Sequence, residues 1–140
     1  MLRVEILFCG LAALACVGCE NTLPATVSGT IKTDGQPLSD RNIGGEVMLF
    51  PSGGGAAAYA ALDTDGQYAV QTGGTKGMEP GSYNVTVRVV EIEPEPPGGF
   101  KRNPKQTLIS SRSYQDREHS GLTAEIERGK NTVDFDLTSK

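Results

Sequence analysis

Beyond residue 19 the chain contains no cysteine, it has no tryptophan at all, and it has a single histidine. Each shortage removes a class of chemistry. Cys9, Cys16 and Cys19 all fall within the first 19 residues, so the rest of the chain forms no disulfide, no cysteine–zinc site and no cysteine nucleophile. His119 stands between Glu118 and Ser120 in a polar stretch. One histidine is too few for histidine-rich zinc ligation, and without a Gly-x-Ser-x-Gly elbow no hydrolase triad is recognisable. No cofactor or metal site is expected, and no catalytic residue. Aromatic residues make up only 6% of the chain, which predicts a modest core dominated by Phe50, Tyr68, Tyr83 and Phe135. The net charge of -4 comes without a basic stripe and argues against a nucleic-acid partner. No apolar run approaches the ~20 residues of a membrane-spanning helix. The longest, residues 6–17, is followed by no sustained 3.6-residue apolar period.

That short run is nevertheless informative. It ends in Leu14-Ala15-Cys16-Val17-Gly18, all small or apolar, and polar chain follows at once as Cys19-Glu20-Asn21-Thr22. This is the shape of a secretory signal with its cleavage site. The Gly18-Cys19 ending resembles a lipobox, the site read by the bacterial lipoprotein-processing machinery. The resemblance implies a signal peptide over residues 1–18, cut just before Cys19. It also implies a diacylglyceryl group on the Cys19 sulfur and acylation of the new amino terminus. Residues 19–25 then form a polar tether. Several acyl chains anchor firmly where one is marginal, each buried CH₂ contributing roughly 0.8 kcal/mol. The expected partner is thus the lipid bilayer, and the expected place is the cell envelope, facing the periplasm or exterior. Cys16, preceded by Leu14-Ala15, is a second acceptor position, and a plain cleavable signal is the other reading of the leader. Gly18 and the polar chain after residue 19 favour Cys19.

Removing the leader leaves roughly 120 residues, the size of one domain. Glycine, at 18 of 140 residues, is nearly twice its usual ~7% and punctuates the chain as in a many-turned β domain. Alternation predicts strands over residues 27–31, 46–50, 57–62, 67–71, 83–89, 122–127 and 132–137. The clearest is Tyr83-Asn84-Val85-Thr86-Val87-Arg88-Val89, with its odd positions on one face. Asp34-Gly35 and Asp63-Thr64-Asp65-Gly66 carry turn chemistry. Arg128-Gly129-Lys130-Asn131 reads as a hairpin joining the last two strands, and the proline-bearing stretch 91–105 reads as a long extended loop. Seven short strands with short turns describe an all-β, antiparallel, Ig-like β-sandwich over residues 26–140, expected to be monomeric.

Several motifs taken together suggest a family. Val27-Ser28-Gly29-Thr30-Ile31 with Asp34-Gly35-Gln36-Pro37-Leu38 resembles the opening of carboxypeptidase regulatory-like domains. Thr64-Asp65-Gly66-Gln67-Tyr68 is similar to that family's Asp-Gly-x-aromatic turn. Pro80-Gly81-Ser82-Tyr83 is similar to its Pro-Gly-x-Tyr strand start. The tail, Ser120-Gly121-Leu122, then Gly129-x-Asn131 and Phe135-Asp136-Leu137, resembles the ending of many small exported bacterial lipoproteins of this group. The resemblance spans nearly the whole mature chain and implies a transthyretin-like sandwich that serves as a noncatalytic module.

Weaker signals have plainer readings. Asp63-Thr64-Asp65-Gly66 offers oxygens at alternate positions, as a calcium loop does, yet position 12 of such a loop is Gly74, not Glu. A hairpin turn is the better reading. Glu91, Glu93 and Glu95 sit at spacing two among prolines, where a solvated extended loop outweighs acid–base work. Phe100-Lys101-Arg102 follows Gly98-Gly99 in the same loop and is the candidate partner contact, by an apolar ring with two cations, for an envelope protein or a glycan. The function expected is therefore that of a non-enzymatic, membrane-anchored envelope lipoprotein acting as a structural or interaction module. The alternatives are a carbohydrate- or peptide-binding module and an accessory subunit of an exported enzyme complex.

Overall fold

The structure is a computed structural model and describes residues 21–98 and 103–139. Two β-sheets face each other, and among the described residues the one helical turn is the 3₁₀ segment Arg112–Gln115. The expected all-β sandwich is what the chain forms.

One sheet is organised around β1 (Ala25–Thr33). β2 (Gln36–Pro37) pairs with it antiparallel. The other sheet is carried by β3 (Ile43–Pro51), β4 (Ala58–Ala61) and, later in the chain, β6 (Gln71–Thr72) and β7 (Thr75–Lys76). Between them β5 (Gln67–Ala69) returns to β1. β8 (Gly81–Ile92) is the long central strand of the second sheet, paired along its length with β3. β9 (Gln106–Leu108) and β10 (Leu122–Ile126) share its other edge. β11 (Gly129–Thr132) and β12 (Phe135–Leu137) close the first sheet by running parallel to β1.

The core follows from strand alternation. Odd residues of β8 point inward, so Tyr83, Val85, Val87 and Val89 are buried. Their partners on β3 are buried as well, with Leu49 opposite Val85 and Val47 opposite Val87. β1 contributes Ala25, Val27 and Ile31, and β12 contributes Phe135 and Leu137. The same alternation corrects one expectation: Phe50 is not a core residue. With Val47 and Leu49 inward, Met48 and Phe50 face outward, and the Arg117 guanidinium covers the Phe50 ring at 5.1 Å.

Two further expectations are corrected. Residues 128–131 are not a hairpin between paired neighbours. β10 ends in one sheet and β11 begins in the other. The Asn131 side chain accepts the Glu127 N–H (2.9 Å) and donates to the Glu127 carbonyl (2.7 Å). It thereby takes the place of the ladder bonds a hairpin partner would make. The stretch 91–105 is not loop throughout either. β8 runs on to Ile92, and the Glu93 N–H meets the Lys105 carbonyl at 3.0 Å, so the base is a paired hairpin. Two buried serines of the arch between β9 and β10 add side-chain bonds to the β8 edge, one at Val89 between the two strands and one at Val85, where the β10 pairing ends. Ser110 Oγ accepts the Val89 N–H (3.2 Å), and Ser120 Oγ donates to the Val85 carbonyl (2.6 Å).

Candidate functional site

The residues singled out by sequence, Cys19 and the trio Phe100, Lys101 and Arg102, lie outside the described residues. Their flanking chain is placed. Thr22 bridges to Lys76, and the Leu23 N–H donates to the Lys76 carbonyl at 2.9 Å. Paired chain thus begins inside the stretch 19–25. It enters at the start of β1, whereas the β8–β9 loop leaves from the far end of the molecule. β1 spans nine residues, about 30 Å at ~3.3 Å per residue, and separates the two ends.

The acidic residues at the base of that loop do not converge. Glu91 accepts two hydrogen bonds from Arg41, from Nε at 3.2 Å and from Nη2 at 2.9 Å. This guanidinium holds the Glu91 carboxyl below its ordinary value. Glu93 pairs instead with Lys105 at 3.1 Å. Glu91 and Glu93 thus each have a separate cation, an arrangement that suits structure more than proton transfer.

Asp63-Thr64-Asp65-Gly66 forms a turn. Asp63 Oδ1 accepts the N–H groups of Asp65 (2.9 Å) and Gln67 (2.8 Å), and Gly66 supplies the positive φ of 78°. His119 is exposed and makes a 2.7 Å contact with Asp116 Oδ2. The Asp116 carboxyl is held low first by the Glu118 N–H and then by His119. The neighbouring Ser120 hydroxyl is committed to Val85. Among the described residues no three of His, Cys, Asp and Glu come together to hold a metal ion.

What sequence reasoning missed is a cleft of about 360 Å³ at the loop-bearing end of the sandwich. Its walls come from the end of β1 (Thr33 and Asp34), from β2 and the turn after it (Gln36, Pro37 and Leu38), and from Arg41, Ile109 and Ser139. Asp34 is the one non-glycine residue with positive φ among the described residues, at 52°. Its carboxylate accepts the Ser139 N–H at 3.1 Å, tying the turn to the end of the chain. The Ser139 contacts keep its carboxyl below the ordinary range. The only local signal was Asp34-Gly35-Gln36-Pro37-Leu38, which reads fully as a turn. Arg41, Ile109 and Ser139 are distant in sequence and meet only in the fold.

No protein-family model matches this chain, and no curated protein matches it in sequence.

Proposed function

We propose that this chain is a non-enzymatic, membrane-anchored envelope lipoprotein whose sandwich acts as a structural or interaction module, one we read as carboxypeptidase regulatory-like from its turn and strand-start motifs. The observation that carries the proposal is the leader ending in Gly18-Cys19, placed directly before a folded domain. Only Glu20 and Asn21 separate Cys19 from Thr22, which bridges to Lys76. An acylated Cys19 therefore holds the Lys76 end of the sandwich close to the lipid head groups. The base of the β8–β9 loop and the cleft then lie at the end away from the membrane, where an envelope protein or glycan can reach them. A domain without thiols, built on strand pairing and an aliphatic core, suits a display role of this kind. Among the described residues no helix is long and apolar enough to cross a membrane, and the acyl anchor supplies the attachment in this reading.

The test is mass spectrometry of the mature amino terminus after expression in a bacterium with lipoprotein processing. A Cys19 terminus carrying diacylglyceryl and acyl mass is the expected result. An unmodified terminus downstream of residue 19 rejects the anchor, and acyl mass at Cys16 moves it.

A further inference from the structure

Thr33 closes the inward face of β1, is 6% exposed and forms part of the cleft wall. Its hydroxyl is the one buried side-chain polar atom without a hydrogen-bond partner among the described residues. Folded proteins rarely tolerate such a group without a use for it. A staggered step about χ1 carries a threonine's hydroxyl to another of the three positions around Cβ without moving the backbone, so this hydroxyl can be turned to meet an occupant of the cleft.

The rest of the lining offers donors and acceptors together. Arg41 commits one edge of its guanidinium to Glu91 and keeps N–H groups on its other side. Asp34 presents a surface carboxylate, and the exposed Gln36 adds an amide with no hydrogen-bond partner of its own among the described residues. Pro37, Leu38 and Ile109 supply an aliphatic floor. An ammonium ligand has donors only and leaves Arg41 unmatched. A carboxylate ligand meets Asp34 in the wall, while the single guanidinium is already paired with Glu91. A neutral polyol suits the whole set. Each of its hydroxyls both donates and accepts, planar carboxylate, amide and guanidinium groups take neighbouring hydroxyls in pairs, and the ring's C–H face lies on the aliphatic floor. We propose that this cleft binds the terminal one or two sugar units of a neutral glycan. Its volume is at the lower end of the ~300–1,000 Å³ typical of small-molecule sites, in keeping with so short a ligand.

This deepens the interaction-module reading by naming a partner class, and it does not depend on the acyl anchor. The test is a titration of the isotope-labelled mature protein with maltose and with N,N′-diacetylchitobiose, followed by amide chemical shifts. Saturable shifts centred on Asp34, Gln36, Arg41 and Ile109 are expected with at least one of them. The double variant Thr33→Val/Gln36→Ala should bind at least about tenfold more weakly, with a melting temperature equal to or above that of the parent. Asp34→Asn keeps one acceptor oxygen, exchanges the other for an NH2 donor and removes the charge; because sugar hydroxyls both donate and accept, it should retain most of the affinity. Absence of shifts with both sugars at millimolar concentration overturns the proposal, as does parental affinity in the double variant. Binding of the dipeptide Gly-Leu but neither sugar also overturns it. An acylated terminus without sugar binding rejects only the cleft, and sugar binding by a chain with an unmodified terminus rejects only the anchor.

Discussion

The Tyr83 hydroxyl donates to the Glu79 carbonyl at 2.6 Å, bracing the Pro80-Gly81 lead-in against the first inward residue of β8. The ring is 5% exposed and faces the interior beside Val85. Truncation of a large buried aromatic costs about 3–5 kcal/mol, which is most of the stability of a small domain. Tyr83→Ala should therefore unfold the protein or lower its melting temperature sharply. Tyr83→Phe removes only the hydrogen bond and should cost about 1 kcal/mol. Equal thermal melts for the parent and Tyr83→Ala would contradict the core assignment.

Gly29 sits where β1 passes closest to the chain between β11 and β12. A Cβ there would lie 1.8 Å from the Val133 carbonyl oxygen and 2.9 Å from the Tyr68 hydroxyl, and the oxygen is backbone that cannot step aside. Gly29→Ala should cost at least about 3 kcal/mol, the upper end of ordinary overpacking. Gly53, with nothing within 4 Å of its would-be Cβ, is the matched control. Gly53→Ala should be neutral or slightly stabilising. Urea melts of the two variants check the contrast.

Asp34, Glu91 and Asp116 all have carboxyls lowered from their ordinary values, the Asp value being 3.8 and the Glu value 4.5. The causes are Ser139 for Asp34, Arg41 for Glu91, and the Glu118 N–H ahead of His119 for Asp116. A carboxyl lowered in the folded state stabilises above its unfolded pKa, and that stabilisation is lost as pH falls through the folded value. Stability should hold above about pH 5 and decline below it. The combined variant Asp34→Asn/Glu91→Gln should flatten that decline in urea melts taken at successive pH values. An unchanged slope would assign the acid limb to other groups.

Tyr68 behaves oppositely. Its hydroxyl donates to the Val133 carbonyl, and burial first, then the Asp134 charge, pushes the phenol far above its ordinary 10.0. A raised folded pKa gives stabilisation that is complete below the unfolded value and lost as pH rises toward the folded one. Above about pH 10 the protein should lose stability, with Tyr68 releasing its proton only on unfolding, seen as phenolate absorbance appearing with the loss of β circular dichroism. Tyr68→Phe should cost about 1 kcal/mol at neutral pH and make the alkaline limb shallower.

The strands were the most legible part of the fold. Residues 83–89 alternate so regularly that the buried face of β8 follows from sequence, and Asp63-Thr64-Asp65-Gly66 folds as its residue types dictate. Phe50 was misplaced because its size was weighed without its parity. It is one residue from Leu49 and so must face the other way. The 128–131 segment was misread because Gly-Lys-Asn is sound turn chemistry, while the destination of the turn depends on a distant edge. The cleft was illegible for the same kind of reason. Asp34 and Ser139 come from opposite ends of the domain, and no local pattern announces that their turns will share a wall.

The sequence by itself determined the all-β class, the absence of thiol chemistry after residue 19, and the inward positions along β8. These depend on residue type and on a period of two, both local. Tertiary structure alone decided that β1 runs parallel to β11 and β12, that β10 and β11 belong to different sheets, and that Thr33, Arg41 and Ile109 border one cleft. Those choices turn on which remote backbone groups satisfy each other's hydrogen bonds while both sheets bury their apolar faces, a condition set by the whole chain at once.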